Sequence, residues 1–205
     1  MIAVLDYGIG NLGSVLKAFR AVGAEAALVE TPQAARSADA LVVPGDGAFG
    51  AAMDEIERRG FGDVLRAAAA AGRPVLGICI GMQILFEEST EHGRHRGLGL
   101  LPGRVTRIDT ALPVPHMGWN RLRQLRAHPL FDGVADGAHV YFVHSYKCDA
   151  DPSVLLATTD YDGEVAAIVG RGSVLGVQFH PEKSQGVGLS LIRNYVAQVR
   201  DEVRA

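Results

Sequence analysis

The chain has 205 residues, of which 48% are hydrophobic and 21% are charged, and this balance is typical of a globular protein with one well-filled core. A formal net charge of −3 argues against the strongly basic surface that nucleic-acid binding requires. Two cysteines are too few for a disulfide scaffold, and no apolar run reaches the length of a membrane span. We therefore expect a single domain over residues 1–205 that binds neither nucleic acid nor membrane and resides in the reducing cytoplasm.

The first 90 residues alternate between short apolar runs and helical patterns. Strands are predicted over residues 2–6, 26–30, 40–45 and 74–78, and helices over residues 12–22, 51–58, 61–71 and 81–88. Asn11 and Thr31 can cap helices, and Pro32 suits the first position of a helix. Short, wholly apolar strands in this order are typical of a parallel sheet that helices cover on both faces.

The pattern changes after about residue 98, where strand-like runs follow one another with few helices between them. These runs cover residues 100–108, 139–148, 153–159, 164–169 and 173–180. We expect them to be antiparallel additions to the same sheet, and a last helix over about residues 186–203 closes the chain. The predicted fold class is α/β, with a mixed, mostly parallel sheet and helices on both faces.

Cys79 lies where the strand over residues 74–78 meets the next predicted helix, in the sequence GICIG. This pattern has the form of a nucleophile elbow with cysteine in place of serine. A sharp strand-to-helix turn exposes the side chain, the flanking glycines avoid Cβ clashes, and the helix N-terminus favours a thiolate. The backbone N–H of Ile80 is then available to bind an oxyanion. A buried structural cysteine is the alternative that this pattern alone leaves open.

His180 is the candidate base, because it follows another apolar strand in the segment VLGVQFHPE. A cysteine nucleophile needs a group that takes its proton. In an extended chain Glu182 points to the same side as His180, where it can hold the imidazole tautomer. The sequence therefore predicts a triad of Cys79, His180 and Glu182, although a surface histidine at a strand end would give the same local pattern.

Three other patterns are less specific. The glycine-rich turn in VVPGDGAFG can bring backbone N–H groups to a substrate carbonyl, or it can have no such role. The segment DYGIGNLG superficially offers the G-x-G-x-x-G of a dinucleotide site, but that interpretation ignores the triad. His92 and His95 lie among arginines, which favours a solvated basic loop over a metal site. We expect neither a metal nor a cofactor.

The segments GICIGMQ and FHPEKS, with the preceding PGxG loop, resemble those of class I glutamine amidotransferases. The segments DYGIGNLGSV, PHMGWN and YFVHSY are similar to one branch of that family, which supplies ammonia to the cyclase subunit of imidazole glycerol phosphate synthase in histidine biosynthesis. The resembling segments span residues 6 to 184. PHMGWN and YFVHSY distinguish this branch from relatives that serve anthranilate, GMP or carbamoyl phosphate synthesis. The resemblance implies a flavodoxin-like core.

The resemblance also implies an activity and a set of binding residues. The chain would hydrolyse L-glutamine to glutamate and ammonia through a thioester on Cys79. The oxyanion donors would be the backbone N–H groups of Asp46 and Ile80, in a loop that needs a peptide flip before it is competent. The residues expected to hold the glutamine substrate are Gln83, Glu91, Ser145 and Tyr146, with Gly47 beside it.

By the same resemblance, ammonia passes to a separate cyclase subunit, which is a (β/α)8 barrel that forms a heterodimer with this chain. There it joins a phosphoribosyl-aminoimidazole substrate to give imidazole glycerol phosphate and an aminoimidazole carboxamide ribotide. The interface residues are expected to be Asn11, Trp119, Tyr141 and Lys183. Trp119 could equally lie in the core.

Asp46 departs from the family pattern, in which this loop position is often small and apolar. A carboxylate near an oxyanion is unfavourable, so we expect the Asp46 side chain to point away from Cys79. Three alternatives remain open: a glutaminase subunit of another ammonia-dependent synthase, a catalytically idle subunit that only docks and regulates, and a cysteine hydrolase that acts on another amide.

Overall fold

The computed structural model describes residues 1–204, so the last residue of the expected domain lies outside the described part. The helices are α1 (Leu12–Ala21), α2 (Pro32–Arg36), α3 (Phe49–Arg58), α4 (Phe61–Ala70), α5 (Ile80–Gln83) and α6 (Gln185–Arg204). The strands are β1 (Ile2–Leu5), β2 (Ala26–Val29), β3 (Ala40–Val43), β4 (Val75–Ile78), β5 (Glu88–Ser89), β6 (His95–Arg96), β7 (Gly103–Arg107), β8 (His116–Arg121), β9 (Arg123–Gln124), β10 (His139–His144), β11 (Tyr146–Ala150), β12 (Leu155–Asp160), β13 (Glu164–Arg171) and β14 (Val174–Val177). No helix within residues 1–204 is long and apolar enough to cross a membrane.

An eight-stranded sheet forms the centre of the molecule, in the order β2-β1-β3-β4-β14-β13-β12-β9. The first five of these strands run parallel, and the last three are added antiparallel. Alternate residues of β1 enter opposite halves of the core: Ile2 and Val4 share one half with α1 and α6, and Leu5 shares the other with α2, α3 and α4. This burial on both faces explains the wholly apolar strands and confirms the predicted α/β fold.

The later strands do not all join this sheet, so the expectation of antiparallel additions to one sheet is wrong in part. Strands β11, β7, β5 and β6 form a separate sheet, and β8 pairs only with β10. The run predicted over residues 139–148 is two strands that separate at Ser145. Phe142 is buried in the half of the core that contains α6, whereas Cys148 is buried in the opposite half. Since side chains an even number of residues apart share one face of a strand, a continuous strand could not bury both in this way.

The helix predicted over residues 81–88 is also too long, because α5 is a single turn. The backbone carbonyls of residues 84–86 accept hydrogen bonds from the N–H groups of residues 98–101. Those carbonyls are therefore not available to continue an i to i+4 helical ladder. A distant segment of the chain ends the helix where the local pattern would extend it.

The predicted capping residues are confirmed. The Asn11 side chain accepts a hydrogen bond from the Ser14 backbone N–H at 3.2 Å, at the start of α1. Thr31 Oγ1 accepts from the Ala34 N–H at 3.3 Å, and Pro32 is the first residue of α2. Each cap satisfies one of the N–H groups that have no partner within the helix.

Three adjacent parallel strands bring the candidate site residues to one edge of the sheet. β3 pairs with β4, and β4 pairs with β14, all in the same direction. Their carboxyl ends lead to the loop at residues 44–47, to Cys79 and to His180, respectively. In open parallel sheets this edge is where ligands bind.

The turn at Cys79 requires the glycines on either side of it. Cys79 has φ 55° and ψ −111°, which is an unusual conformation for a residue with a side chain. A Cβ atom at Gly81 would overlap the backbone carbonyl of Val43, and a Cβ atom at Gly77 would overlap the carbonyl of Gly81. The glycines therefore allow β4, α5 and the end of β3 to pack together, which confirms the steric reasoning from sequence.

We predict that Gly81→Ala lowers the free energy of unfolding by about 3 kcal/mol or more, because backbone atoms must move to admit the methyl group. Urea denaturation measures this change. Gly13→Ala is the matched control, since an added Cβ at this exposed α1 position has no neighbour within 4 Å. The control should be neutral or stabilised by about 0.5–1 kcal/mol. Equal stabilities for the two variants would contradict the role given to Gly81.

Candidate active site

The Cys79 sulfur lies at the bottom of a small cavity at the carboxyl ends of β3, β4 and β14. Cys79 is 3% exposed. The cavity has a volume of about 290 Å³, which suits a small ligand. Its lining includes nine of the predicted catalytic, oxyanion and substrate-binding residues: Asp46, Gly47, Cys79, Ile80, Gln83, Glu91, Ser145, Tyr146 and His180. The predicted catalytic and binding residues are thus brought together, apart from Glu182, which lies behind His180.

His180 and Glu182 are in direct contact, with 2.7 Å between His180 Nδ1 and Glu182 Oε1. The residues Pro181–Lys183 form a 3₁₀ turn. The backbone here is therefore not extended as predicted, although the two side chains do meet. The Glu182 side chain is only 2% exposed, so this interaction is shielded from water.

The surroundings of His180 change its pKa in opposing directions. Burial lowers the pKa, but interactions with the Cys79 thiol and with the Glu182 carboxylate outweigh it and raise the pKa to about 9. The imidazole therefore holds a proton at neutral pH. Since Glu182 occupies Nδ1, the Nε2 side of the ring is the one available to Cys79 and a ligand.

Gln178 also contacts Cys79, although it is not among the site residues predicted from the sequence. Gln178 is fully buried, and its Nε2 lies 3.8 Å from Cys79 Sγ. The backbone carbonyl of Val143 lies 4.0 Å from the same sulfur. In the sequence, Gln178 is distinguished only as a polar residue within the apolar run VLGVQF, two positions before His180. An amide that is buried at such a place needs hydrogen-bond partners, and here one of them is the sulfur.

The loop at residues 44–47 packs directly on the elbow. The Tyr7 hydroxyl donates a 2.5 Å hydrogen bond to the Pro44 carbonyl, and burial raises the pKa of this phenol, so it remains a donor. A Cβ atom at Gly45 would come within 2.9 Å of the Ile80 Cβ. Asp46 is exposed, and within residues 1–204 its carboxylate makes no hydrogen bond to the Cys79 sulfur. Asp46 therefore lines the cavity without a hydrogen bond from its carboxylate to the sulfur.

The N–H of Ile80 opens α5 and has no intrahelical partner, as expected for the first residue of a helix. It lies directly after Cys79 in the cavity lining. Because α5 has only four residues, the positive potential expected from a helix N-terminus comes from a single turn.

Gln83 is buried and well defined by its hydrogen bonds. Its Nε2 donates to the Tyr146 carbonyl at 3.0 Å and to Gln178 Oε1 at 3.0 Å. Its Oε1 is buried and has no protein partner among the described residues. Gln83 is 1% exposed, so the alternative of an ordinary helix-surface residue is wrong. Gln83 thus combines a place in the cavity lining with an acceptor that no described protein group uses.

Glu91 is also buried, at 7% exposure, and lies in the loop after β5. Its Oε2 accepts a 2.6 Å hydrogen bond from the Phe49 N–H, at the start of α3. Ala48 at the cap position of α3 has no side chain that could accept this bond. Glu91 therefore caps α3 from a distance and holds a carboxylate at the cavity wall.

The predicted interface residues lie on the surface. Trp119 is 47% exposed, so its alternative placement in the core is wrong. Its ring packs edge-on against Tyr141 at 6.1 Å, and Lys183 Nζ lies 5.9 Å above the Tyr141 ring. Met117, 64% exposed, lies two residues before Trp119 on the same face of β8. We call these four residues the aromatic patch. Asn11 is exposed at the start of α1 and is not part of this patch.

The structure does not favour a dinucleotide site at the G-x-G-x-x-G pattern or a metal site at His92 and His95. Gly10, from the G-x-G pattern, packs on the backbone of Gly45, so that turn is filled by protein. His92 is exposed, whereas His95 is partly buried with its ring against Gly50, which corrects the expectation of a wholly solvated loop. Across residues 1–204, no group of three or more histidine, cysteine or acidic side chains is arranged to hold a metal ion.

Comparison with known proteins relates this geometry to a family. Residues 3–199 match the family Glutamine amidotransferase class-I. The chain is 51% identical to the imidazole glycerol phosphate synthase subunit HisH of Symbiobacterium thermophilum, over 98% of this chain and 95% of that protein. It is 49% identical to the protein of the same name from Halalkalibacterium halodurans, over 100% of this chain and 99% of that one.

Solved structures share the fold at lower identity. A glutamine amidotransferase crystal structure superposes with a TM-score of 0.78 at 23% identity, covering 97% of this chain and 98% of that one. The structure of PurLQS from Thermotoga maritima superposes with a TM-score of 0.73 at 17% identity, covering 98% of both chains. The sequence match runs from the first strand into the last helix and includes every residue of the cavity. This chain therefore belongs to the class I glutamine amidotransferase family.

Proposed function

We propose that this chain is the glutaminase subunit of an imidazole glycerol phosphate synthase. It hydrolyses L-glutamine to glutamate and ammonia, and a separate cyclase subunit uses the ammonia in histidine biosynthesis. The main support for this proposal is the buried group of Cys79, His180 and Glu182 beside a small cavity. The relatives that match nearly the whole chain are imidazole glycerol phosphate synthase subunits HisH. Cys79 and Cys148 are both free, which supports a reducing compartment such as the cytoplasm.

In the proposed mechanism, the Cys79 sulfur attacks the side-chain amide carbon of glutamine. His180, which already holds a proton at neutral pH, gives it to the departing nitrogen, so that ammonia leaves and a γ-glutamyl thioester remains. The neutral imidazole then takes a proton from the water that attacks the thioester, the carbon–sulfur bond breaks, and glutamate is released. Glu182 holds the imidazole through Nδ1 and stabilises its protonated form.

The cavity supplies the groups that this reaction needs. The Ile80 N–H, and the Asp46 N–H in the neighbouring loop, would bind the oxyanion of the tetrahedral intermediate. Gln83 Oε1 is suited to the substrate ammonium group, because it is a buried acceptor without a protein partner. Gly47, Glu91, Ser145 and Tyr146 line the remaining wall beside the substrate.

The aromatic patch supports a protein partner. Two large apolar side chains, Met117 and Trp119, are exposed on one face of β8, and Trp119 packs against Tyr141. Lys183 lies above the Tyr141 ring and also lines the cavity, so it joins the patch to the cavity. Aromatic residues of this kind are common anchors in protein interfaces. We propose that the cyclase barrel docks here to form a heterodimer, with Asn11 at the edge of the contact, and receives ammonia from the cavity beneath.

We predict that Cys79→Ala abolishes glutaminase activity of the complex, by at least about a thousandfold, because no other group can form the thioester. Ammonia release from L-glutamine measures the activity, in the presence and absence of the cyclase and its ligand. We expect activity mainly in the complex, and complex formation by the variant should be unchanged.

Cys148→Ala is the matched control for that variant. Cys148 is buried in β11 outside the cavity lining, so its loss should leave activity intact. Retained activity in Cys79→Ala would exclude the proposed mechanism. A fully active wild-type chain that ignores the cyclase subunit would exclude the proposed coupling, and an inactive wild-type complex would favour the idle regulatory subunit.

We predict that Glu182→Gln destabilises the protein in a pH-dependent way. The folded-state pKa of His180 is about 9, above its ordinary value of 6.5. The resulting stabilisation is therefore fully present below about pH 6.5 and is lost as the pH rises through about 9. Removing the Glu182 charge should lower the free energy of unfolding by about 1–2 kcal/mol at pH 6 and by clearly less at pH 10.

Urea denaturation at the two pH values measures that difference. Glu164→Gln is the control, since Glu164 is an exposed carboxylate with two long contacts, a 3.5 Å hydrogen bond from the Thr158 hydroxyl and a 3.9 Å contact to Arg123. Its effect should be small at both pH values. A Glu182→Gln effect that is independent of pH would rule out the charge interaction with His180.

We predict that Trp119→Ala weakens binding of the cyclase by at least about tenfold, because it removes the largest exposed side chain of the aromatic patch. Calorimetric titration measures the dissociation constant. Leu28→Ala is the control: Leu28 is 41% exposed on the edge strand β2 and should have no effect. Equal dissociation constants of the two variants for the cyclase would show that the aromatic patch is not part of the interface.

A further inference from the structure

Two buried histidines outside the proposed catalytic group form a hydrogen-bonded chain that reaches the substrate cavity. His116 on β8 is 2% exposed, and His144 at the end of β10 is 6% exposed. His116 Nδ1 lies 3.0 Å from His144 Nε2, and His144 Nδ1 lies 2.8 Å from the Tyr146 carbonyl oxygen. Both occur in the segments PHMGWN and YFVHSY, and neither is among the predicted site residues.

The chemistry of the partners sets the direction of every bond in this chain. A carbonyl oxygen only accepts, so the hydrogen of His144 is on Nδ1 and its Nε2 is an acceptor. His116 must then donate from Nδ1, which leaves its Nε2 to accept from Asn120 Nδ2 at 3.1 Å. The same Asn120 nitrogen donates to the Asp160 carbonyl at 2.8 Å, which fixes the orientation of the amide.

The packing around the two rings keeps them neutral and in place. The His116 ring is stacked between Phe142, with centroids 4.6 Å apart, and Tyr161, with centroids 4.0 Å apart. Burial lowers the pKa of both His116 and His144 to about 4. A second proton on either ring would also place two donors against each other, which would break the chain.

At its Tyr146 end, this series of hydrogen bonds determines which atom of Gln83 is available to a ligand. The Tyr146 carbonyl accepts from His144 and also from Gln83 Nε2. The same Gln83 nitrogen donates to Gln178 Oε1. Turning the Gln83 amide over would set its oxygen against two acceptors, so Oε1 is held as the unpaired atom.

We propose that Asn120, His116 and His144 are positioning residues that hold the Tyr146 carbonyl and thereby keep the Gln83 oxygen directed at the ammonium group of the substrate. This inference rests on the proposed function, in which the ligand is L-glutamine. The ammonium group lies at the opposite end of glutamine from the amide that is broken. Loss of these hydrogen bonds should therefore weaken the binding of L-glutamine and have little effect on the rate of the chemical step.

Two substitutions at one position separate this role from a general structural one. In His144→Asn the side-chain amide can replace Nδ1 and still donate to the Tyr146 carbonyl. In His144→Gln the amide reaches the Nε2 position instead, so the bond to Tyr146 is lost. For glutamine hydrolysis by the complex with the cyclase, we expect His144→Gln to raise KM roughly tenfold with kcat changed less than about twofold. His144→Asn should raise KM by less than about threefold.

Equal KM values for the two variants, or a lower kcat at unchanged KM, would overturn the proposal. Long-range ¹H–¹⁵N spectra of the ¹⁵N-histidine-labelled full chain give a second test that needs neither variant nor activity. At pH 7 both His116 and His144 should be neutral, with the hydrogen on Nδ1. A hydrogen on Nε2 of His144 would contradict the proposed hydrogen-bond directions and overturn the proposal. An inactive wild-type complex would instead overturn the proposed function, so the two failures are distinguishable.

Discussion

The close approach of Gly81 to the Val43 carbonyl is the constraint on which the rest of the site depends. It brings the end of β3 against the first turn after β4, at a distance that no side chain at Gly81 would allow. The unusual backbone of Cys79, with φ 55°, costs on the order of 1–3 kcal/mol and persists because the packing around it permits no alternative. The same contact places the loop at residues 44–47 beside the sulfur. A looser elbow would separate the Cys79 sulfur from the backbone N–H groups proposed to bind the oxyanion.

A second level of order comes from hydrogen bonds with defined directions. Gln178 joins the two ends of the cavity, because its nitrogen points to the Cys79 sulfur while its oxygen accepts from Gln83. Gln83 is tied in turn to Tyr146, and Tyr146 to His144. Each of these buried groups has its donor and acceptor assigned by its neighbours. A cavity built in this way is preorganised for one arrangement of charge on its ligand.

Strand β8 contributes to the aromatic patch and to the hydrogen bonds behind the cavity, because successive side chains of a strand point to opposite faces. Met117 and Trp119 face outward in the aromatic patch, while His116 and Asn120 are hydrogen-bonded to each other on the opposite face. This arrangement explains why the segment PHMGWN combines histidine, methionine and tryptophan in six residues.

Features that depend on neighbouring residues along the chain could be predicted from the amino-acid sequence. The glycines around Cys79, the caps at Asn11 and Thr31 and the apolar strands could be predicted, because steric clashes, local hydrogen bonds and periodic burial act over a few residues. Tertiary structure alone decided the features that depend on distant partners. Residues 98–101 end helix α5, and Glu91 caps α3 from another loop, since a backbone group takes whichever partner the packing offers. The roles inferred for Gln178 and for the two buried histidines belong to this second class: their partners lie up to 99 residues away, and only the folded chain brings them within hydrogen-bonding distance.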